Sequence, residues 1–504
     1  MRGFSKIEAI TVSALIAAIL VLLLLWNPRI QTERASTDPL VLYCAAGIRP
    51  PVADVVKEYE SELGVSIRIQ YGGSGTLLGN LRAAQTGDLY LAGDASFIQI
   101  ARERNLVEES IPLATMRPVI ATSEGNPKRI RCAQDLSRED IRVALANPDA
   151  TSVGKQTRIA MTRAGLWEDL QEAVSSRGVL KPTVNDVAND IKIGTVDAGV
   201  VWDSTAKQYT DLEIVAPLSE DEGFVTQVTI GVLRCSKQPS EALRFARYLS
   251  ARDRGLKAFD RHHYAVVEGD LWAKKPEILL LSGGVNRPAI EQTLRAFEKR
   301  EGCQITRVYN GCGILVAQMK AGERPDAYFA CDVSFMRDVQ DMFDTPVNVS
   351  ETDILIAVQQ GNPKRIGVLD DLATNRLKLG VANPEQSALG ALTRRMLNSA
   401  GLLDAVMKNV RSQTPTADLL VNQLRAGGLD AVIVYEANIA QVRDHLDIVR
   451  IDLPGAKAIQ PFAVAKFSQY PRLTHRLLEA IASAESQTHY ETSGFRWLYP
   501  PEQR

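Results

Sequence analysis

Histidine, aromatic residues and excess charge of either sign are all scarce in this chain. Five histidines in 504 residues, two of them adjacent at His262-His263, give no H-E-x-x-H spacing for a catalytic metal. The six cysteines include no C-x-x-C pair, so zinc, haem-attachment and thioredoxin readings have no support. No glycine-rich turn continues into Gly-Lys-Ser/Thr, and Gly73-Ser74-Gly75 is not the G-x-S-x-G of a nucleophile elbow. The chain therefore reads as a non-enzyme with no catalytic residues, no metal ligands and no cofactor. A net charge of -2 argues against bulk nucleic-acid binding, which calls for a basic surface. What remains is ordinary globular composition, 45% hydrophobic and 23% charged, with length for two to four domains.

The first 30 or so residues depart from that composition. Ile10 to Trp26 carries no charge and, with Ala9, has about the length that crosses a bilayer core. Arg2 and Lys6 precede it, and Trp26 stands where an interfacial aromatic belongs. The run ends in Trp26-Asn27-Pro28-Arg29, a poor cleavage site, and no cysteine follows closely to take a lipid. The expectation is an uncleaved single-pass anchor in the inner (cytoplasmic) membrane, with the bulk of the chain on the periplasmic or extracellular side. Cleavage after Ala35-Ser36 is the alternative. Such a location permits disulfides, and the cysteines read either as buried free thiols or as one or two structural bridges.

The rest of the chain is written twice. Leu42-Tyr43-Cys44-Ala45-Ala46-Gly47-Ile48-Arg49-Pro50 aligns with Leu280-Leu281-Ser282-Gly283-Gly284-Val285-Asn286-Arg287-Pro288, an offset of 238. Gly125-Asn126-Pro127-Lys128-Arg129-Ile130 returns unchanged at Gly361 to Ile366, offset 236. Asp197-Ala198 and Val201-Trp202-Asp203 match Asp430-Ala431 and Val434-Tyr435-Glu436, offset 233. Colinear matches with so small a drift mean tandem duplication. The predicted organisation is an anchor and linker over 1–38, one unit over 39–272 and a second over 276–500.

Within each unit short apolar runs alternate with amphipathic stretches, which predicts α/β lobes with a parallel sheet and helices on both faces. Ligands in such sheets bind where strands end and helices begin. The organising stretch is Tyr71-Gly72-Gly73-Ser74-Gly75-Thr76-Leu77-Leu78, repeated as Tyr309-Asn310-Gly311-Cys312-Gly313-Ile314-Leu315-Val316. Each copy follows a β-like run and opens a helix-like one. Unpaired N–H groups and partial positive charge at a helix start suit an anion.

In order and spacing these motifs resemble the type II periplasmic solute-binding proteins, most specifically the molybdate- or tungstate-binding component of ABC importers. The resemblance rests on Ala45-Ala46-Gly47-Ile48, Gly73-Ser74-Gly75, Gly93-Asp94-Ala95-Ser96, Asn147-Pro148 with Gly154, and Asp197-Ala198-Gly199-Val200-Val201-Trp202, and it covers everything from Leu40 onward, twice. It implies two tandem units, each of two doubly wound α/β lobes around a hinge. It further implies that each grips a tetrahedral oxyanion (molybdate or tungstate first, sulfate or phosphate next) without a counter-charge and delivers it to an ABC permease on a separate chain. Carried over by position, the first unit would use the Gly47 backbone, Ser74, Gly75, Ser152, Val153, Val184, the Trp202 indole and Asp203. The second would use Val285, Cys312, Gly313, Ser387, Thr416, Tyr435 and Glu436.

The chain departs from the family pattern in places. The family's first-turn serine is Gly47 here and Val285 in the second copy, and its later tyrosine is Trp202 in the first. Asp203 and Glu436 read either as ligand-side carboxylates, as in related tungstate-binding proteins, or as hinge or surface acids. Cys312 replaces the turn serine, and a thiol is a weak donor whose pKa falls at a helix N-terminus. That predicts weaker oxyanion binding or a different ligand there. The alternative function is an oxyanion sensor or adaptor in which one unit no longer binds ligand and mediates protein interaction.

Overall fold

The computed structural model describes residues 38–374 and 376–499. The apolar run from Ile10 to Trp26 lies outside them. Among the described residues no helix is long and apolar enough to cross a membrane.

The first unit opens with strand β1 (Leu40–Ala45), helix α1 (Arg49–Leu63), strand β2 (Ile67–Gly72), helix α2 (Ser74–Ala84), strand β3 (Leu89–Ala92) and helix α3 (Ala95–Glu103). Val52, Val55, Val56 and Tyr59 form the buried stripe of α1, three to four residues apart as a helix face demands. The chain then crosses to a second lobe through β4 (Val107–Met116) and β5 (Pro118–Ser123). There it forms β6 (Val143–Ala146), helix α4 (Ser152–Arg163), β7 (Val179–Lys181), helix α5 (Val184–Lys192), β8 (Ala198–Trp202) and β9 (Leu212–Pro217). It returns through β10 (Thr226–Leu233) and closes with helix α6 (Pro239–Leu249) and β11 (Ala265–Val266).

The sheets are mixed rather than all-parallel. The first lobe has strand order β11-β4-β10-β3-β1-β2 and the second β7-β6-β8-β5-β9. The β-α-β portions pair in parallel, β2 with β1 and β1 with β3, as the alternating pattern implies. The antiparallel strands are β4, β5, β9 and β10, which carry the chain between lobes and back. A connection that leaves one lobe for another cannot make the right-handed crossover that parallel neighbours need, so it enters each sheet reversed.

The second unit repeats this plan. It begins with β12 (Glu277–Gly283), α7 (Arg287–Glu301), β13 (Gln304–Asn310), α8 (Cys312–Lys320) and β14 (Ala327–Phe329). Its hinge strand β15 (Val347–Gln359) runs unbroken through both lobes, where the first unit divides into β4 and β5 at Arg117. Then come β16 (Leu379–Ala382), α9 (Ala388–Ser399), β17 (Val410–Thr414), α10 (Ala417–Arg425) and β18 (Ala431–Tyr435). The unit ends through β19 (Leu446–Arg450), β20 (Lys457–Val464), α11 (Pro471–Ile481) and β21 (Arg496–Trp497). Register is conserved between copies: Leu42 sits opposite Ile69, and Leu280 opposite Arg307.

Candidate functional site

Three helices of the first unit start at one point between its lobes. Helix α2 comes from the first lobe, α4 and α5 from the second, and each follows the carboxyl end of a parallel strand. With the turn Ala45 to Ile48 they enclose a cleft of about 310 Å³, lined also by Gly72, Gly73, Ser74, Gly93, Thr151, Ser152, Val153, Thr183, Val184 and Trp202. No charged side chain is among them.

Helix α2 begins at Ser74, three residues before the apolar periodicity, because Gly73 is extended (φ -66, ψ 142) and acts as N-cap. Ser74, 2% exposed, accepts a hydrogen bond from the Gly93 N–H at 3.2 Å and another from the Ser152 hydroxyl at 2.9 Å. The second bond joins the lobes and leaves the Ser74 hydroxyl hydrogen free to donate. Thr151 and Thr183 cap α4 and α5, accepting from the N–H groups of Gly154 and Asp186. Ser74, Ser152, Val153 and Val184 occupy the first turns of their helices, where an N–H has no intrahelical acceptor. Among the described residues none of these four N–H groups has another acceptor. The cleft thus presents two linked hydroxyls, free N–H groups and the positive ends of three helix dipoles.

The anticipated residues divide into those that line this cleft and those that do not. Gly47, Ser74, Ser152, Val153, Val184 and Trp202 line it. Gly75 spends its N–H on the Ala150 carbonyl at 2.9 Å, a lobe-to-lobe contact, and Thr76 joins it at 3.3 Å. Asp203 faces the hinge, where its Oδ1 accepts from the N–H groups of Arg117 at 3.0 Å and Ser204 at 2.8 Å. Gly47 stands where the resemblance expects a serine, and the packing explains why. A Cβ there would lie 2.8 Å from Val184 Cγ1 of the opposite lobe. Arg49 is not in the cleft but over the Tyr71 ring, 5.1 Å from its centroid, as Arg287 is over Tyr309 at 5.5 Å.

The second cleft, also about 310 Å³, holds Val285, Ser387, Thr416 and Tyr435 of the anticipated set, together with Cys331, Leu389, Asp418 and Asn438. Gly313 gives its N–H to the Gln386 carbonyl across the lobes at 3.1 Å. Glu436 is held by Arg443 and Arg450. Cys312 occupies the Ser74 position but is wholly buried, and its Sγ accepts from the Cys331 N–H at 3.1 Å. Burial works to raise this thiol's pKa, yet hydrogen bonding from Cys331 overcomes it and the net shift is downward. The counterpart of Ser152, at the same offset as Asn147 and Asn383, is Ala388. Ser387 instead takes the Thr151 position as N-cap. Both hydroxyls of the first cleft are therefore missing from the second. Tyr435 OH is buried without a partner there, and burial holds its pKa well above the usual phenol value.

Sequence reasoning missed Thr151 and Thr183, although a threonine just before an amphipathic run is a recognisable N-cap. It also missed the Val184 side chain as the reason for Gly47, for which no local signal exists.

A family model described as "Bacterial extracellular solute-binding protein" matches the chain over residues 40–265 and again over 278–496. A putative binding protein of Haemophilus influenzae is 28% identical over 230 residues, 46% of this chain and 92% of its own length. The molybdate-binding protein ModA of Mycobacterium bovis is 27% identical over 229 residues, 45% of this chain and 84% of its own. Among solved structures, the periplasmic molybdate-binding protein of Azotobacter vinelandii aligns with TM-score 0.40 and 14% identity over 45% of this chain and all of that one.

Proposed function

This chain belongs to the bacterial extracellular solute-binding proteins, with two copies of the family's unit in tandem, and from that premise we propose that its first unit binds a small tetrahedral oxyanion for an ABC-type importer. Molybdate or tungstate is the favoured ligand, and the permease is a separate chain. The anchor from Ile10 to Trp26 would hold both units outside the cytoplasmic membrane.

The observation that carries this reading is the Ser74–Ser152 hydroxyl pair at 2.9 Å, set among free helix-start N–H groups with no charged side chain in the cleft. Hydrogen bonds to a charged acceptor contribute about 1.5–3 kcal/mol each. Five or six such bonds offset the anion's desolvation and still leave the roughly 8 kcal/mol that micromolar affinity requires. Neutral donors discriminate by geometry: they accept a fully ionised dianion and leave a protonated oxygen facing another donor.

Loss of both hydroxyls from the second cleft, and the presence of Asp418 and Cys331 in it, favours a division of labour. The first unit takes the anion, and the second serves as a sensor or interaction module. Calorimetric titration of the chain with molybdate, tungstate, sulfate and phosphate tests this. One anion site per chain is expected, removed by changing Ser74 and Ser152 together to alanine. Two equal sites would refute the division, and no heat with any of the four would refute the oxyanion.

A further inference from the structure

Three exchanges between the copies meet at the floor of the second cleft. Ser74 becomes Cys312, Gly93 becomes Cys331, and Ala45 becomes Gly283, all at the offset of 238. The third makes room for the second. A Cβ on Gly283 would lie 2.0 Å from Cys331 Sγ and 3.0 Å from Cys312 Sγ, so both sulfurs converge on the space that Ala45 fills in the first unit. The Cys331 N–H already donates to Cys312 Sγ at 3.1 Å, which brings the start of α8 against the segment that follows β14. Cys331 borders the cleft, whereas Cys312 lies behind it with no exposure.

We propose that Cys312 and Cys331 form a reversible dithiol–disulfide pair, a redox modification site that the first unit lacks. The oxidant is a small soluble disulfide that reaches the cleft. Cys331 attacks one of its sulfurs. The external S–S bond breaks, a mixed disulfide forms on Cys331, and the departing thiolate takes the Cys331 proton. The Cys312 sulfur then attacks Cys331 Sγ, the protein S–S bond forms, and the second external thiolate leaves with the Cys312 proton. Two protein thiols are oxidised and one external disulfide is reduced to two thiols. The lowered pKa of Cys312 supplies thiolate for the second step. Cys303 sits elsewhere in the same lobe, where burial pushes its thiol up to about 12. Cys44 is buried with its pKa raised by burial as well. Neither shares the site.

The test equilibrates the full chain in mixtures of bis(2-hydroxyethyl) disulfide and 2-mercaptoethanol. Samples are quenched in acid, denatured, alkylated with N-ethylmaleimide, digested and weighed. The expected product is a linked Cys312–Cys331 peptide, two hydrogens lighter than the separate thiols and restored by dithiothreitol, while Cys44 and Cys303 stay alkylated. Cys312→Ser installs the residue that the first unit carries at this place, and there Cys331 should stop at the mixed disulfide. Alkylation of both cysteines in every mixture, or linkage of either to another cysteine, overturns the proposal. So does a Cys331 that stays unmodified in the serine variant.

Discussion

At the scale of single residues, the first cleft is defined by hydrogen bonds that are used and those that are left over. Ser74 receives two and keeps one hydrogen to give. Ser74→Ala removes that donor and the anchor for Ser152, so oxyanion affinity should fall roughly ten- to hundredfold, the equivalent of one charge-assisted bond. Calorimetry reads this directly. Cys312→Ala should leave that affinity unchanged. Gly47 is a steric position. Gly47→Ala pushes a methyl to within 2.8 Å of Val184 Cγ1, and overpacking of this kind costs about 1–3 kcal/mol. Because the clash exists only when the lobes meet, the effect should appear as weaker ligand binding with little change in thermal stability. Adding Val184→Ala should restore it. Ser74 was legible in the sequence because a turn serine before a helix is a local signal. The Gly47–Val184 contact was not, since it joins residues of opposite lobes. Gly75 and Gly313 share the motif but turn their N–H groups to the facing lobe, a choice fixed by Ala150 and Gln386.

At the scale of elements, the duplication explains which segments stayed constant. In Gly125 to Ile130 and Gly361 to Ile366 one turn is built twice. Asn126 and Asn362 have φ of 42° and Arg129 and Arg365 have φ of 53° and 55°, a left-handed backbone that most residues avoid. Asparagine is suited to it, because its side chain spans the turn. Asn126 Nδ2 donates to the Ile130 carbonyl at 2.7 Å and its Oδ1 accepts from the Ile130 N–H at 3.0 Å. Asn362 does the same with Ile366 at 2.8 and 3.0 Å. Asn126→Ala forfeits both bonds and should destabilise the first unit by about 1–3 kcal/mol, measured as a shift in its denaturant midpoint. An unshifted midpoint would show that water replaces both bonds without loss. The strand–turn–helix elements were readable from periodicity, down to the buried stripe of α1. The antiparallel strands were not, because local alternation carries no record of where the chain crosses between lobes.

At the scale of the whole molecule, the units are joined by buried charge. Glu301, 2% exposed at the end of α7, meets Arg476 of α11 at 2.7 Å and Arg247 of α6 in the first unit at 3.0 Å. Arg300 adds a two-pronged bond to Glu109 of the first unit, at 2.6 and 2.9 Å. Asp270 of the connection accepts from the Arg472 and Leu473 N–H groups at 2.7 and 3.0 Å. Burial opposes the Glu301 charge, but the two guanidiniums prevail and lower its pKa. Its stabilising contribution is therefore complete above the ordinary carboxyl value of about 4.3 and is lost as pH falls from there through the lowered folded pKa. Acidification should loosen the two units from each other within that window, read by small-angle scattering. Glu301→Gln leaves two buried arginines without their carboxylate and should cost about 3–5 kcal/mol at neutral pH. The sequence revealed two units but not this junction, whose partners lie far apart along the chain. The central claim, that charge-free donors of the first unit hold a tetrahedral dianion, is tested most directly by anomalous diffraction from crystals grown with tungstate. A tungsten peak within hydrogen-bonding reach of Ser74 and Ser152 is predicted. A first cleft without tungsten, or tungsten bound only in the second, would contradict it.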